Sequence, residues 1–343
     1  MHPDSARELK ARILERLPTA SAAAAAPGDA GSAGPWPWVA VGLAPVGGGR
    51  ARVAVRLQRD SDRSLLPDLG RVAGAEVEVR VIGRVRALSS PAPASPAPAS
   101  PAPASPAPAS SAPVELRRRR RPLRPGLSVA HPSVTAGTLG GFLRTPAGLA
   151  VLSNSHVLAA SGAASVGDPV LQPGPADGGR AGDRVATLAA FVPFRSGERN
   201  LVDAAVALLD EGVGARPGDV PGGPLTGVVP ARLDVDPDEE VEKVGRTTGH
   251  TRGRISAVEV DAVAVQYDEE VHRFDDQIEI QGLSGAFSAG GDSGSLIWRS
   301  RDRAPTALLF AGSSGGGPGG AGVTFANPLA TVLDALDAVW VAE

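Results

Sequence analysis

The pentapeptide PAPAS is repeated four times over residues 91–110. A proline at every second or third position removes amide donors and fixes φ, so this stretch can enter neither a helix nor a sheet. It is expected to be an extended polyproline II spacer. At about 3.1 Å per residue, residues 89–113 would reach on the order of 80 Å, which is expected to leave the flanking parts free to reorient. The repeat therefore divides the chain, and each part is read separately.

Residues 1–35 begin with a short amphipathic pattern. Ser5 and Glu8 form a capping box, and Leu9, Ile13, Leu14 and Leu17 recur at helical spacing until Pro18 stops them. Ala, Gly, Ser and Pro then dominate, as in a flexible segment. Residues 36–88 turn globular. The runs WVAVGLAPV, RVAVRLQ and EVEVRVIG read as strands, with SLLPDLGRVAG as a helix, giving a small α+β accessory module. It holds no Ser/His/Asp cluster, so a regulatory or binding role is expected.

Residues 89–126 are read as a linker ending in a basic run: Arg117, Arg118, Arg119, Arg120 and Arg121, then Arg124. The whole chain balances 34 Lys and Arg against 37 Asp and Glu, a net charge of −3, so this run is the only hint of nucleic acid. No aromatic residues are interleaved for base stacking, and a solvated linker end is the favoured reading.

From residue 127 to 343 many short strand-like runs are separated by Gly, Pro, Asp and Ser. With 43 Gly, 32 Pro and 3% aromatics, the chain favours turns and short strands packed with Ala, Val and Leu. The expected fold class is mostly β, closed by a C-terminal helix in which Asn327 caps, Pro328 opens the first turn, and Leu329 to Trp340 form one apolar face. There is no cysteine, which excludes disulfides, thiol nucleophiles and Cys-held metals. No apolar run is long enough to span a bilayer. The first seventeen residues mix charges through the apolar positions, unlike a signal peptide, so a cytoplasmic protein is expected.

Three segments carry chemistry. GGDSGS, residues 290–295, has the glycines of a tight turn that exposes Ser293 and lets the Gly291 and Ser293 amides converge on an oxyanion. A serine needs a base, and the base needs a partner that fixes its tautomer. His156 in LAVLSNSHVLAA and Asp203 in NLVDAAVALL stand at strand boundaries suited to both tasks. The other histidines, His2, His131, His250 and His272, lack such a setting, and no HExxH spacing suggests a metalloprotease.

SNSHVLA, VDAAVALL and GGDSGS together resemble the three catalytic segments of trypsin/chymotrypsin-like serine endopeptidases. The likeness covers roughly residues 127–340. It is closer to cysteine-free bacterial trypsin-like peptidases related to the plant narrow-leaf protease, in which VLSNSHVLA, LQPGPADGG, VGRTTGHTRG and SAGGDSGSL stand in this order. The resemblance implies a double antiparallel β-barrel with a cofactor-independent site in the cleft between barrels, and a protein or peptide as substrate. His156 would act as base and acid, Asp203 would orient it, Ser293 would attack, and the Gly291 and Ser293 amides would hold the oxyanion.

It also implies that Phe287, Ser288, Ala289 and Gly290 line the primary specificity pocket. No acidic residue stands there, so apolar residues are expected before the cleaved bond. Ala311, Gly312 and Ser313 would be the edge on which substrate adds as a strand. No processing site offers a new N-terminus for Asp292. Either Asp292 has another partner, or its loop orders only when something binds, which would make the N-terminal module a regulator. The alternative to a peptidase is a catalytically latent protease-like binding or scaffold protein.

Overall fold

The computed structural model describes residues 1–17, 37–66, 76–88, 114–229, 236–237, 239–268 and 270–343. The PAPAS repeats, the segment 19–35 and most of SLLPDLGRVAG lie outside the described residues; of that last run, the described part closes a 3-10 turn, Asp60–Leu65. Helix α1 (Pro3–Arg16) starts earlier than Ser5, because Pro3 suits a first turn and the His2 side chain accepts from the Asp4 N–H. Its Ala6, Leu9 and Ile13 are buried against Val39, Val41, Val53 and Val55. Those valines belong to the antiparallel pair β1 (Val39–Gly47) and β2 (Arg50–Leu57), followed by β3 (Val77–Val81), parallel to β2, and β4 (Val85–Ala87).

Strands β5 (Ser128–Val129), β6 (Gly137–Thr138), β7 (Gly141–Thr145) and β8 (Gly148–Ser153) lead into helix α2 (Ser155–Leu158). Next come β9 (Pro169–Leu171), β10 (Arg184–Phe191), β11 (Arg199–Asn200) and β12 (Ala205–Leu209). The second half holds β13 (Glu240–Gly245), β14 (Gly249–Asp261), β15 (Val263–Tyr267), β16 (Glu270–Phe274) and β17 (Gln277–Gly282). It ends with β18 (Leu296–Arg299), β19 (Pro305–Gly316), β20 (Gly322–Pro328), helix α3 (Leu329–Ala335) and β21 (Val339–Val341).

The mostly β expectation holds. One six-stranded antiparallel sheet runs β21-β7-β8-β12-β10-β9. In the second half, β13 pairs β14, β14 pairs β17, β17 pairs β20, β20 pairs β19, β19 pairs β18, and β18 returns to β13, so the ladder closes on itself. The closure is local: β14 and β19 outrun β13 and β18, and their overhangs remain open to other strands. Among the described residues no helix is long and apolar enough to cross a membrane.

The parts expected to hang apart are joined. β1 pairs antiparallel with β14, extending the second barrel's sheet into the N-terminal strands. Arg7 and Lys10 of α1 reach Glu259 at 2.7 Å and Asp261 at 2.8 Å. The arginine run is not a loose linker end either. Leu116 and Leu123 beside it are buried in the core, Arg119 pairs with Asp183 at 3.1 Å, and Arg120 pairs with Glu115. The C-terminal helix is shorter than its apolar pattern suggests. It ends at Ala335, and Trp340 joins a strand against β7 instead, where its ring lies against Gly141. Asn327 caps nothing; its side chain is drawn into the core by Asp203 and Gln277.

Within this joined sheet Arg56 of β2 meets Glu279 of β17 in a two-pronged pair, at 2.6 and 3.0 Å, with both side chains fully buried. Burial pushes the Glu279 carboxyl up, but the Arg56 charge, with hydrogen bonds from Arg56 and Ser256, outweighs it and holds the carboxyl below the ordinary glutamate value. Folded Glu279 thus binds a proton less readily than the unfolded chain does. Its stabilisation is complete above the unfolded value, about 4.3, and is lost as pH falls through the folded one. Between pH 6 and 3.5 the urea midpoint of the wild type should therefore fall further than that of an Arg56→Met/Glu279→Leu variant; equal falls would assign the acid sensitivity elsewhere.

Candidate active site

β8 ends at Ser153, and the chain turns at Asn154 into α2, which carries His156. The β12 to β8 register sets Ala205 opposite Ser153, so Asp203, two residues before β12 starts, falls beside the first turn of α2. The contact is direct. His156 Nδ1 is hydrogen-bonded to Asp203 Oδ2, and the His156 backbone N–H donates to Oδ1 at 3.2 Å. The backbone of residue 203 is pinned as well. Asn154 Nδ2 donates to its carbonyl at 2.7 Å, and its own N–H donates to Asn327 Oδ1 at 3.0 Å. A carboxylate held this way keeps the imidazole proton on Nδ1 and leaves Nε2 as the acceptor. That Nε2 is buried and has no hydrogen-bond partner among the described residues.

Ser293 sits in the loop from β17 to β18, between Gly291 at φ +94° and Gly294 at φ +88°. Those angles lie in the left-handed region, which a side chain resists. At 294 the reason is also steric, because a Cβ there would run into the Thr138 carbonyl and the Ser153 hydroxyl. The Ser293 carbonyl accepts from the Thr138 N–H at 2.7 Å, and Gly137 fits between that carbonyl and the Val157 side chain next to His156. The serine hydroxyl donates to the Phe310 carbonyl at 3.3 Å. Ser293 is fully buried and His156 is 3% exposed, so both lie covered.

Asp292 does have another partner. Its carboxylate accepts the N–H groups of Thr247, Thr248 and Ala289 at 2.8, 3.2 and 3.0 Å and the Thr248 hydroxyl at 2.7 Å. Lys243 Nζ lies 3.3 Å away, and both charged side chains are sealed from water. Burial pulls the lysine below its ordinary value, with Asp292 opposing that shift.

The chain is similar in fold to solved proteases. Thermobifida fusca protease A is 16% identical over 64% of this chain and all of its own, with a TM-score of 0.44. Cellulomonas bogoriensis chymotrypsin is 17% identical over 64% of this chain and all of its own, with a TM-score of 0.43. Alpha-lytic protease homolog N4 is 20% identical over 63% of this chain and 98% of its own, with a TM-score of 0.44. No protein-family model matches the chain, and no curated protein matches it in sequence.

The residues expected to bind substrate come from the loop before Ser293 and from β19. The Phe287 side chain is buried among the apolar residues of the closed barrel, while its carbonyl accepts from the Thr251 hydroxyl at 2.8 Å. Ser288 shares a hydrogen bond with Thr324 at 2.7 Å, and the Gly290 carbonyl accepts from the Thr247 hydroxyl at 2.7 Å. Ala311, Gly312 and Ser313 of β19 pair antiparallel with Ala87, Arg86 and Val85 of β4. The Gly291 N–H donates to the Leu88 carbonyl.

Tyr267 escapes the sequence reading. Its hydroxyl donates to Asp203 Oδ2 at 2.9 Å, and its ring meets the His156 ring edge-on at 5.6 Å. Burial, reinforced by the Asp203 charge, pushes its phenol well up, so it remains a donor. Tyr267→Phe removes one donor from a buried carboxylate, an interaction worth about 1.5–3 kcal/mol for a charged acceptor. A roughly tenfold fall in kcat with KM unchanged is expected from peptide kinetics, because the tyrosine touches Asp203 and acts through it. A rise in KM at constant kcat would give it a substrate-binding role instead.

Proposed function

We propose that this protein is a serine endopeptidase that cleaves peptide bonds through an acyl-enzyme on Ser293. The observation that carries the reading is the state of His156: Nδ1 is fixed by a fully buried carboxylate and Nε2 has no hydrogen-bond partner among the described residues, in a wall that Ser293 adjoins through Thr138 and Gly137. An imidazole so arranged is a general base whose tautomer is already chosen. Rotation of Ser293 about χ1 releases the Phe310 carbonyl and lets its hydroxyl seek the imidazole. His156 then takes the proton as Oγ adds to a substrate carbonyl, and returns it to the departing amine. Gly291 and Ser293 amides hold the oxyanion on a turn fixed by Asp292. The order of the segments VLSNSHVLA, LQPGPADGG, VGRTTGHTRG and SAGGDSGSL supports a place among cysteine-free bacterial trypsin-like peptidases.

The second reading, a latent protease-like binding protein, is favoured by one observation: the Ser293 hydroxyl is buried and spent on Phe310. Intact-mass labelling with a fluorophosphonate separates the two. A peptidase takes one adduct, which maps to Ser293 and is absent from Ser293→Ala. A protein that takes none, even after its cleft is opened, is the latent form.

A further inference from the structure

β4 and the residue after it lie along the cleft in the manner of a bound peptide. β4 runs antiparallel to β19 with Ala87 opposite Ala311, Arg86 opposite Gly312 and Val85 opposite Ser313. Leu88 continues the alignment. Its N–H donates to the Phe310 carbonyl at 3.2 Å, and its carbonyl accepts from the Gly291 N–H, two residues before the proposed nucleophile. Its side chain lies beside Gly312, where a Cβ would come within 3.2 Å of a leucine methyl, and it packs on the apolar cluster that holds Phe287 and Leu309.

Each contact has a chemical meaning. An extended peptide recognised by strand addition is held by its backbone and selected by its side-chain pockets. A carbonyl oxygen on the amide of a turn glycine is polarised where an oxyanion develops. Glycine at 312 leaves room for a branched aliphatic side chain, and the Leu88 side chain packs on the apolar cluster beside it.

We propose that residues 85–88 occupy the cleft as the acyl side of a substrate, so that this enzyme selects leucine before the cleaved bond and meets its own Leu88 to Ser89 bond first. The proposal rests on the peptidase reading. In the reaction Ser293 Oγ adds to the Leu88 carbonyl carbon and His156 Nε2 takes its proton. The C–N bond breaks, that proton leaves with the Ser89 amine, and water then hydrolyses the ester to free Ser293 and a Leu88 carboxylate. The cut does not empty the cleft. β1 remains paired with β14 and Arg56 with Glu279, so the strand is presented again from a docked body at high effective concentration.

Two measurements on the full chain test this. In a Ser293→Ala background, which has no chemistry, binding of dye-labelled Val-Arg-Ala-Leu-Ser-Ser is followed by anisotropy. Leu88→Asp places a carboxylate against the apolar cluster and Leu88→Gly removes the side chain; both should bind the peptide at least tenfold more tightly than the parent. Equal affinities, or no binding by any of the three, overturn the proposal. With Ser293 intact, mass spectrometry should find a cut between Leu88 and Ser89, and Leu88→Asp should take the fluorophosphonate at least ten times faster than wild type. Labelling of Ser293 at one rate in all variants, or cuts only elsewhere, keeps the peptidase and sinks the proposal. Peptide binding on opening, with no labelling at all, keeps the occupied cleft and sinks the peptidase.

Discussion

Replacing Ser293 with alanine is expected to lower kcat on a leucyl peptide anilide by about 10⁶-fold, the scale seen when the nucleophile is lost from a peptidase built on the same three groups. His156→Ala should do as much, since without Nε2 the hydroxyl has no acceptor for its proton. Asp203→Asn should cost less, about 10⁴-fold, because the geometry survives while the tautomer is wrong. The decisive feature is non-additivity: Ser293→Ala combined with His156→Ala should be no slower than either alone, because the two act in one step. The rate that remains comes from the turn amides and from binding. If Ser293→Ala loses less than tenfold, hydrolysis arises from another group and the reading of the site fails.

What the sequence discloses and what it hides divide along one physical line. His156, Asp203 and Ser293 stand in local strings whose turns and strand ends announce a cleft residue, and the β12 to β8 register that joins the first two follows from simple antiparallel pairing of neighbouring strands. The groups around them come from afar. Tyr267 lies 64 residues from Asp203, and Asn327, which the sequence marks as a helix cap, 124 residues from it. Lys243 in VEKVG carries a faint signal, one of two adjacent charges between two valines, yet alternation alone cannot say that it points inward.

The N-terminal strands are legible as strands, but their docking is hidden for another reason. Val, Ala and Arg in β1 and β2 specify a sheet, but no local pattern names the foreign edge that an open strand will meet, here β14, more than 200 residues on. Arg56 offers a clue only in retrospect, as the charge within the run 53–57 that needs a carboxylate from outside its module. The shortened α3 is a case of tertiary packing overriding periodicity. Asp337 adopts φ +46°, which stops the helix and frees Val339–Val341 to pair with β7.

Lys243→Met is expected to cost about 3–5 kcal/mol of stability, because it leaves the Asp292 carboxylate buried with hydrogen bonds but no counter-charge. Five groups converge on that carboxylate, and four of them are neutral donors. The ammonium is bound into the same knot, donating to the Thr248 hydroxyl at 2.5 Å and the Gly249 carbonyl at 3.4 Å. Methionine fills the space of the lysine stem, so packing changes little and the loss is electrostatic. The consequence for catalysis follows from position. Asp292 stands between Gly291 and Ser293, so a shift of its carboxylate turns both amides away from a developing oxyanion. The loss of one such donor costs about 2.7–4 kcal/mol, or 10²- to 10³-fold in kcat, in a related mechanism. Adding Asp292→Asn removes the stranded charge while keeping an oxygen for the Thr247 and Thr248 amides, and should restore most of the stability. It should not restore the rate, since the amide's NH₂ now faces donors where a second acceptor oxygen stood. Urea midpoints and fluorophosphonate labelling rates read the two effects separately. A Lys243→Met protein less than 1 kcal/mol weaker than wild type would show that the turn is held by its neutral donors alone.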